Sequence, residues 1–334
     1  MFKLSLTGAE IAEVQSLLGE LKAQYDSVED PEFLRQAAFL AQDLPRRVRG
    51  LLNDFRISEP PAATCVISAY PVDDRAIGPT PEHWQRNARV SPALAEEMFF
   101  ALCGSLLGDL IGWATQQAGK LVHDVMPIKG HEYRQISSAS EEVIWWHTED
   151  AFHQYRSDFI GLMCLRNSTA TATTVGCVGD LALDAAQVRV LFQPRFVIRP
   201  DYAHDLDAGG GAASSPPALD EEEIEHEAKK VAVLFGDPSS PYMRLDPYFM
   251  DPPTDEEARS ALDALCRAVD EKLRRIVLRP GDVCFIDNFR AVHGRNSFTA
   301  RFDGKDRWLK RILVTRDLRK SRAARGSQAS RVIG

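Results

Sequence analysis

Three residues of the chain have the types and spacing of a metal site. His147 and Glu149 are two residues apart in the run His147-Thr-Glu149, which ends a segment of β-strand character. Residues i and i+2 of a strand project from one face, so an imidazole and a carboxylate there can point at a common metal ion. Such a triplet is common by chance, and His147 alone would be interpreted as a hydrogen-bonded core histidine.

A distant histidine supplies the missing ligand. His293 lies in Asp287-Asn-Phe-Arg-Ala-Val-His293-Gly-Arg295, directly after a turn and an apolar strand over 280–286. It can therefore reach the same point from a different strand. Two histidines and one carboxylate on one face of an octahedron leave three open positions, which is the arrangement of non-haem iron(II) oxygenases. The sequence thus predicts an iron site of His147, Glu149 and His293.

Two arginines follow the distal histidine. Arg307 precedes a strand-like run over 308–315, and Arg311 lies within it. In a strand the two arginines face the same way as two leucines, toward the interior. A buried arginine needs an anionic partner, and the local sequence supplies none, so we expect a bound carboxylate. The alternative is a pair of surface arginines on an exposed edge strand.

The N-terminal third that precedes these residues has helical patterning. Thr7-Gly-Ala-Glu10 is a capping box before apolar residues at helical spacing. Pro31 begins a second helix that runs to about Asp43, and Ser91-Pro92 begins a third. The longest apolar stretch, 98–114, fits a core helix and its exit turn better than a membrane span, because it is short and contains an aspartate.

The chain from about residue 142 is rich in short strands. The predicted strands, which include one before that point, are Thr64–Tyr70, Glu142–Trp146, Phe159–Arg166, Thr173–Val178, Phe196–Arg199, Ile276–Leu278, Val283–Asp287 and Leu309–Thr315. Many short strands separated by turns favour a β-sandwich or barrel of the jelly-roll type. One helix interrupts them, beginning at a second capping box, Thr254-Asp-Glu-Glu257.

The predicted fold class is α+β, with a double-stranded β-helix (jelly-roll or cupin-like) core and flanking helices. We expect one domain over 1–317, with a helical part over 1–60 and the core over 61–317. A Gly-, Ser- and Pro-rich acidic stretch over 203–223 has the composition of a surface loop, either a lid or an insertion without function. The basic tail over 318–334 has the composition of a disordered segment.

Composition limits the partners. The 48 acidic and 40 basic residues give a net charge of -8, which argues against a dedicated nucleic-acid binder. Six cysteines, none in a CxxC pair, lie mostly in apolar runs, as expected of buried thiols in a reducing, cytoplasmic compartment. We expect no membrane segment and a small-molecule substrate, and the sequence makes no prediction of oligomeric state.

The motifs together resemble those of a known family. The His-Thr-Glu triplet, the Asn-x-Arg-x-x-His-Gly-Arg run at 288–295, and arginines fourteen and eighteen residues beyond the distal histidine look like the clavaminate-synthase-like branch of the 2-oxoglutarate oxygenases. Within it, the sequence is most similar to hydroxylases of free basic amino acids, arginine or lysine. The resemblance covers residues 60–317 and is supported by the runs 147–153, 162–167 and 240–246.

This resemblance implies a role for each motif position toward the cofactors and toward the substrate. His147, Glu149 and His293 would bind Fe(II), Arg307 would pair with the distal carboxylate of 2-oxoglutarate, and Thr173 or the adjacent Thr174 would place a hydroxyl beside it. Arg311 would hold the α-carboxylate of the substrate, Gln116 and Ser137 would contact its amino-acid head, and Asp246 with Asp201 would meet its cationic end.

The family chemistry uses O2 to decarboxylate 2-oxoglutarate to succinate and CO2 while an unactivated carbon, here C3 or C4, is hydroxylated. Glu149 favours hydroxylation, or desaturation, over halogenation, because halogenating relatives have a small residue there. Tyr248 stands where arginine hydroxylases carry a second acidic residue, which makes lysine or citrulline more plausible than arginine. A metal-dependent hydrolase with the same ligands, and a non-catalytic cupin-like binding module, are the alternatives.

Overall fold

The fold is a layered arrangement of two β-sheets and flanking helices. The computed structural model describes residues 2–85, 90–201, 204 and 229–334. Within them the helices are α1 (Gly8–Lys22), α2 (Pro31–Leu40), α3 (Arg46–Ser58), α4 (Leu94–Ser105), α5 (Ala185–Leu191) and α6 (Glu256–Lys272). The strands are β1 (Phe2–Ser5), β2 (Thr64–Ser68), β3 (Asp109–Trp113), β4 (Val122–Val125), β5 (Ile144–His147), β6 (Phe159–Arg166), β7 (Thr173–Cys177), β8 (Leu234–Asp237), β9 (Ser240–Met243), β10 (Arg274–Ile276), β11 (Val283–Asp287), β12 (Ala291–Arg295), β13 (Trp308–Thr315) and β14 (Val332–Ile333).

Most strands belong to one of two mixed or antiparallel sheets. The large sheet has eight strands in the order β1-β2-β11-β6-β13-β3-β14, with β4 also paired to β13. The small sheet has four strands in the order β10-β7-β12-β5. A separate hairpin is formed by β8 and β9.

Three hydrophobic clusters fix the order of the layers. The first packs α1 to α4 against one face of the large sheet. The second lies between the two sheets and contains side chains of both, such as Ile160 and Leu309 from the large sheet and Val175 and Cys177 from the small one. The third packs α5 and α6 against the outer face of the small sheet. Strands whose residues are buried on both faces, such as β6 and β11, follow from this layering.

The predicted elements agree with the structure where local signals are strong. The Thr7–Glu10 capping box begins α1, and both of its reciprocal hydrogen bonds are present. The predictions for β6 and β11 are confirmed to the residue, and those for β2, β5, β7 and β13 are confirmed with small shifts at the ends. The strand predicted over Ile276–Leu278 shares only Ile276 with β10.

Four local predictions need correction. Asp255, not Thr254, caps α6, and its side chain accepts from the N–H of Ala258. The third helix begins at Leu94 rather than at Ser91-Pro92. The stretch 98–114 is not a helix with an exit turn alone, because α4 is followed by β3. Residues 196–199 form no strand and contribute only isolated bridges.

The basic tail is folded, contrary to the prediction of disorder. Residues Leu318–Ala324 form a 3-10 helix, and β14 pairs in parallel with β3. Arg325 is buried and donates to backbone carbonyls of the tail, while Arg331 forms an ion pair with Asp109 at 2.6 Å. Contacts within the tail and with β3 thus order these two basic side chains, which composition alone could not show.

Two further predictions concern the loop over 203–223 and the expected absence of a membrane segment. The loop predicted over 203–223 lies outside the described residues except for His204. No helix in the described part of the chain combines the length and the apolar character needed to cross a membrane.

Candidate active site

The three predicted metal ligands converge at one point between the sheets. Donor atoms of His147, Glu149 and His293 all lie within 4.8 Å of one another. Glu149 Oε2 is 3.5 Å from His147 Nε2 and 3.3 Å from His293 Nε2. Adjacent ligands of an octahedral metal with bonds of about 2.1 Å are about 3 Å apart, so the cluster matches this geometry closely.

Strand pairing places the two histidines. In the small sheet β5 and β12 are antiparallel, and His147 lies directly opposite His293. Glu149 follows two residues beyond His147, where the chain leaves the strand. Asn288 fixes that segment, since its side-chain oxygen accepts from the Glu149 N–H at 2.8 Å and its amide donates to the Glu149 carbonyl at 3.0 Å.

The protonation of the cluster fits a metal site. Burial lowers the pKa of His147, but the hydrogen bond with Glu149 and the charge of Asp246 outweigh it and raise that pKa to about 9. Burial lowers the pKa of His293, and Arg311 and the two histidines hold the pKa of Glu149 well below its usual range against the effect of burial. A proton on His147 thus supplies the positive charge next to Glu149 that a metal ion would otherwise supply. Metal binding would release this proton.

The tautomer of His147 also suits metal ligation. Its Nδ1 lies 2.8 Å from the carbonyl oxygen of Trp145, which can only accept, so Nδ1 carries the proton and Nε2 faces Glu149. The Nδ1 atom of His293 is buried without a partner among the described residues. The donor set of two imidazoles and one carboxylate fits iron(II).

Arg307 is the most unusual charge near this cluster. Its side chain is buried in the cavity wall, its Nε atom has no hydrogen-bond partner, and no carboxylate of the described residues pairs with it. Burial lowers the pKa of its guanidinium to about 10. A buried cation without an anion is costly, so the site is built to receive an anion that the described protein does not supply.

Thr173 lies in the same cavity wall and is buried. It pairs with Arg295 across β7 and β12. Thr174 projects from the opposite face of β7, beside Gly294, and does not line the cavity. The structure therefore favours Thr173 over Thr174 as the hydroxyl near Arg307.

Arg311 also points into the cavity, but here it contacts the metal cluster. One of its terminal nitrogens, Nη1, donates to Glu149 Oε1, and the other, Nη2, lies 2.7 Å from both Gln116 Oε1 and His123 Nδ1. Its Nε atom is buried and without a partner among the described residues. The guanidinium thus keeps donor capacity for a further acceptor.

The cavity joins these groups in one space. Its interior offers about 100 Å³ to water-sized molecules, and its mouth is open to solvent. The predicted site residues that line it are His147, Glu149, His293, Arg307, Arg311, Thr173, Gln116, Ser137 and Asp201. Gln135 and Arg295 line it as well and were not predicted.

Asp246 and Asp201 form an acidic region beside the metal ligands. Burial raises the pKa of Asp246 to about 6, with a further contribution from the charge of Asp201. Burial and the charge of Asp150 likewise raise the pKa of Asp201. No lysine or arginine of the described chain contacts Asp246, whose carboxylate accepts instead from backbone N–H groups. The region therefore favours a cation that is not part of the described protein.

The structure does not bring the Tyr248 side chain into the cavity. Its side chain is 48% exposed and packs edge-on against Phe249. Its backbone N–H, however, donates to the carboxylate of Asp246. Position 248 therefore acts on Asp246 through the main chain.

A second polar cluster adjoins the first. Asp150, Asp201 and His204 have donor atoms within 4.8 Å of one another. His204 bonds Asp150 at 3.0 Å and Gln116 at 3.1 Å. Sequence reasoning missed Asp150 and His204, although Asp150 directly follows Glu149 in the motif and was available as a signal.

A third group of residues supports the site from behind. Gln135 bridges to β5, since its amide nitrogen donates to the Val143 carbonyl at 2.7 Å and its oxygen accepts from the Trp145 N–H at 3.2 Å. Arg295 donates to the backbone carbonyls of Ala139 and Glu142. No sequence signal pointed to Gln135, whereas Arg295 stands in the motif of the distal histidine.

Two facing sheets that enclose a cluster of two histidines and one carboxylate define a mononuclear non-haem metal oxygenase. The family model described as "Taurine catabolism dioxygenase TauD, TfdA family" matches residues 95–313. The chain belongs to this dioxygenase family. Membership argues against the metal-hydrolase and non-catalytic alternatives.

Characterised relatives match over the whole chain. The sequence is 45% identical to an L-ornithine/L-arginine 3-hydroxylase of Catenulispora acidiphila and 44% identical to an enduracididine beta-hydroxylase of Streptomyces hygroscopicus, covering 100% of each chain in both cases. Among solved structures, the non-haem iron oxygenase OrfP with Fe, succinate and (3S)-hydroxy-L-Arg is similar with a TM-score of 0.92, at 45% identity and 100% coverage of both chains. OrfP has also been solved with Fe and alpha-ketoglutaric acid, with a TM-score of 0.89, 45% identity and coverage of 99% of this chain and 100% of that one.

Proposed function

We propose that this protein is an Fe(II)- and 2-oxoglutarate-dependent hydroxylase of a free basic L-amino acid, acting at C3 or C4. The observation that carries the proposal is the pair of unbalanced buried charges around the metal cluster. Arg307 is a buried cation without a described anion, and Asp246 is a buried acid that no lysine or arginine of the described residues contacts. A dicarboxylate co-substrate and a cationic substrate would complete both.

The residues divide the work by position. His147, Glu149 and His293 would hold the iron, and Arg307 with Thr173 would hold the distal carboxylate of 2-oxoglutarate. When bound, the iron would supply the oxidation chemistry, with 2-oxoglutarate and O2 as the co-substrates that yield succinate and CO2. The protein contributes positioning, since a correctly held carbon reacts much faster than a free one. The two sheets would form the double-stranded β-helix of the family, within one domain over 1–317 against which β14 of the tail packs.

Substrate orientation follows from the two remaining charged regions. Arg311 would donate to the α-carboxylate from its Nε, which has no partner among the described residues, and Gln116 and Ser137 would contact the amino-acid head. Asp246 and Asp201 would pair with the cationic end. A side chain stretched between these regions passes the metal cluster with its middle carbons, which accounts for hydroxylation at C3 or C4.

The relatives favour a substrate of the arginine type. Both characterised hydroxylases matched over the full chain are named for ornithine, arginine or a cyclic guanidino amino acid. Tyr248 does not oppose this assignment, because its side chain lies outside the described cavity. We therefore place arginine, ornithine and guanidino amino acids ahead of lysine and citrulline.

A panel of free L-amino acids tests the proposal. The purified protein, with Fe(II), 2-oxoglutarate and O2, should add 16 mass units to arginine or a close analogue and form one succinate per product. Loss of 2 mass units would instead show desaturation. Activity restricted to peptides or to acids without a basic side chain would refute the substrate assignment.

A matched control separates the metal site from the substrate site. The His147→Ala variant should form no succinate with any acid, because one ligand is missing. Retained succinate formation would show that His147 is not a ligand. Anaerobic Fe(II) and 2-oxoglutarate should give the wild-type protein a weak visible absorption band, whose absence from an iron-loaded sample would contradict the co-substrate assignment.

A further inference from the structure

The contacts of Arg311 single out a residue that does not itself line the metal-containing cavity. The Nη2 atom of Arg311 has two N–H groups and two acceptors, Gln116 Oε1 and His123 Nδ1, each at 2.7 Å. Both acceptors are uncharged. At the other end of the guanidinium Nη1 donates to Glu149 Oε1, and the Nε atom remains buried without a partner among the described residues.

The tautomer of His123 is set by the backbone. Its Nε2 lies 2.9 Å from the carbonyl oxygen of Lys120, which can only accept, so Nε2 carries the proton. Nδ1 then has a lone pair directed at Arg311. Burial, with the charge of Arg311, lowers the pKa of His123 to about 3, which keeps the ring neutral at physiological pH.

Strand register holds this pair in place. His123 on β4 lies directly opposite Arg311 on β13. The side chain of Gln117 bonds both backbone groups of Asp124, at 2.9 and 3.1 Å, and so fixes β4 next to His123. Gln117 and Ala118 have positive φ values of 44° and 56°, a turn in the left-handed region that also positions Gln116.

We propose that His123 is a positioning residue that aims Arg311 at the α-carboxylate of the substrate without adding a second negative charge to that of Glu149. A carboxylate at position 123 would hold the fork equally well, but it would compete with the substrate for the same positive charge. Arg311 already forms an ion pair with Glu149, so a neutral acceptor at position 123 fixes the geometry without adding a second anion. This inference rests on the proposed function, because it takes an amino-acid carboxylate as the ligand of Arg311.

Three substitutions test the acceptor and its charge separately. In His123→Asn, the side-chain oxygen replaces Nδ1 in position and stays neutral. His123→Asp has the same shape with a negative charge, and His123→Gln keeps a donor for the Lys120 carbonyl but has no acceptor near Nδ1. Compared with the wild-type protein, we expect the KM for the amino acid to stay within threefold in His123→Asn. It should rise at least tenfold in His123→Asp and in His123→Gln.

Two further kinetic readouts distinguish positioning from a general structural role. The KM for 2-oxoglutarate should stay within twofold in all three variants, because Arg307 binds that acid. The ratio of succinate formed to hydroxylated product should rise above one in His123→Gln, since a poorly held substrate is oxidised less often. An equal rise of the KM for the amino acid in His123→Asn and His123→Gln would overturn the proposal. A parallel change in the KM values for the amino acid and for 2-oxoglutarate would overturn it as well.

A spectroscopic measurement tests the geometry without turnover. Nitrogen-15 NMR of the histidine-labelled, metal-free chain should show His123 as the neutral Nε2–H tautomer at pH 7.5. A protonated ring or the Nδ1–H tautomer would overturn the proposal even if a variant failed to fold. If the wild-type protein hydroxylates no amino acid while this tautomer is present, the proposed function fails and the contact between His123 and Arg311 stands.

Discussion

Replacement of Arg307 by methionine should have opposite effects on stability and on co-substrate affinity. The side chain is buried and has no anionic partner among the described residues, and burial lowers its pKa from the ordinary arginine value to about 10. That difference corresponds to about 3 kcal/mol by which the folded protein disfavours the cation. In the absence of 2-oxoglutarate, Arg307→Met should therefore leave the free energy of unfolding unchanged or raise it by up to about 3 kcal/mol.

The same change removes one partner of a buried charge pair once 2-oxoglutarate binds. Loss of one such partner costs about 3–5 kcal/mol. At about 1.4 kcal/mol per factor of ten, the KM for 2-oxoglutarate should rise by roughly a hundredfold to a few thousandfold. The KM for the amino acid should change little.

Arg295→Met is the matched control. Arg295 is a buried arginine of the same cavity, but its donors are used by the backbone carbonyls of Ala139, Glu142 and Asn296. This variant should lower the melting temperature, because those carbonyls lose their partners. Thermal unfolding and succinate formation against 2-oxoglutarate concentration measure both effects. Equal destabilisation by the two substitutions, or a KM change below tenfold in Arg307→Met, would refute the reasoning.

Three further predictions follow from buried charge, close packing and the folded tail. Asp246→Asn should raise the KM for a basic amino acid at least tenfold. It should also raise the melting temperature at pH 7.5, because the raised pKa of Asp246 makes the buried wild-type carboxylate costly when it is ionised. This gain in melting temperature should disappear as the pH falls from about 6 toward 3.8 and the carboxylate is protonated. A gain that persists at pH 4 would contradict this. Gly294→Ala would place a Cβ 2.5 Å from the carbonyl oxygen of Ile144 and so separate the strands of His147 and His293. We expect calorimetry to show a loss of about 1–3 kcal/mol in the free energy of unfolding, and metal analysis to show less iron per chain. Unchanged iron content would count against this prediction. Removal of residues 331–334 should lower the melting temperature, since β14 and Arg331 would be lost, whereas an unchanged value would support the original expectation of disorder.

The sequence predicted the residues of the candidate site better than their contacts. The convergence of His147 and His293 follows from strand alternation and from a motif on each strand, and the structure shows it as a direct cross-strand pair. The roles of these residues stay predictions. Arg311, expected at the substrate carboxylate alone, contacts Glu149, Gln116 and His123 in the structure.

The residues that were missed act through geometry rather than through motif chemistry. His123 comes from a short strand without a turn signal, and its role depends on register with β13. Gln135 lies in a loop whose path the composition does not determine. Tertiary contacts also overrode composition in the tail, where Arg325 donates to a backbone carbonyl of the tail and Arg331 donates to Asp109 of β3. Long-range pairing of this kind leaves no periodic signal in a single sequence.

The contact of Gln135 with β5 has a consequence for how molecules meet one another. β5 is the edge strand of the small sheet, and an unpaired edge offers its N–H and C=O groups to strands of other molecules. The Gln135 side-chain amide pairs with two of these groups, the carbonyl of Val143 and the N–H of Trp145, as the backbone of a neighbouring strand would. One side chain of the cavity wall thereby also guards the protein against edge-to-edge aggregation, so that solubility and the shape of the site depend on the same amide.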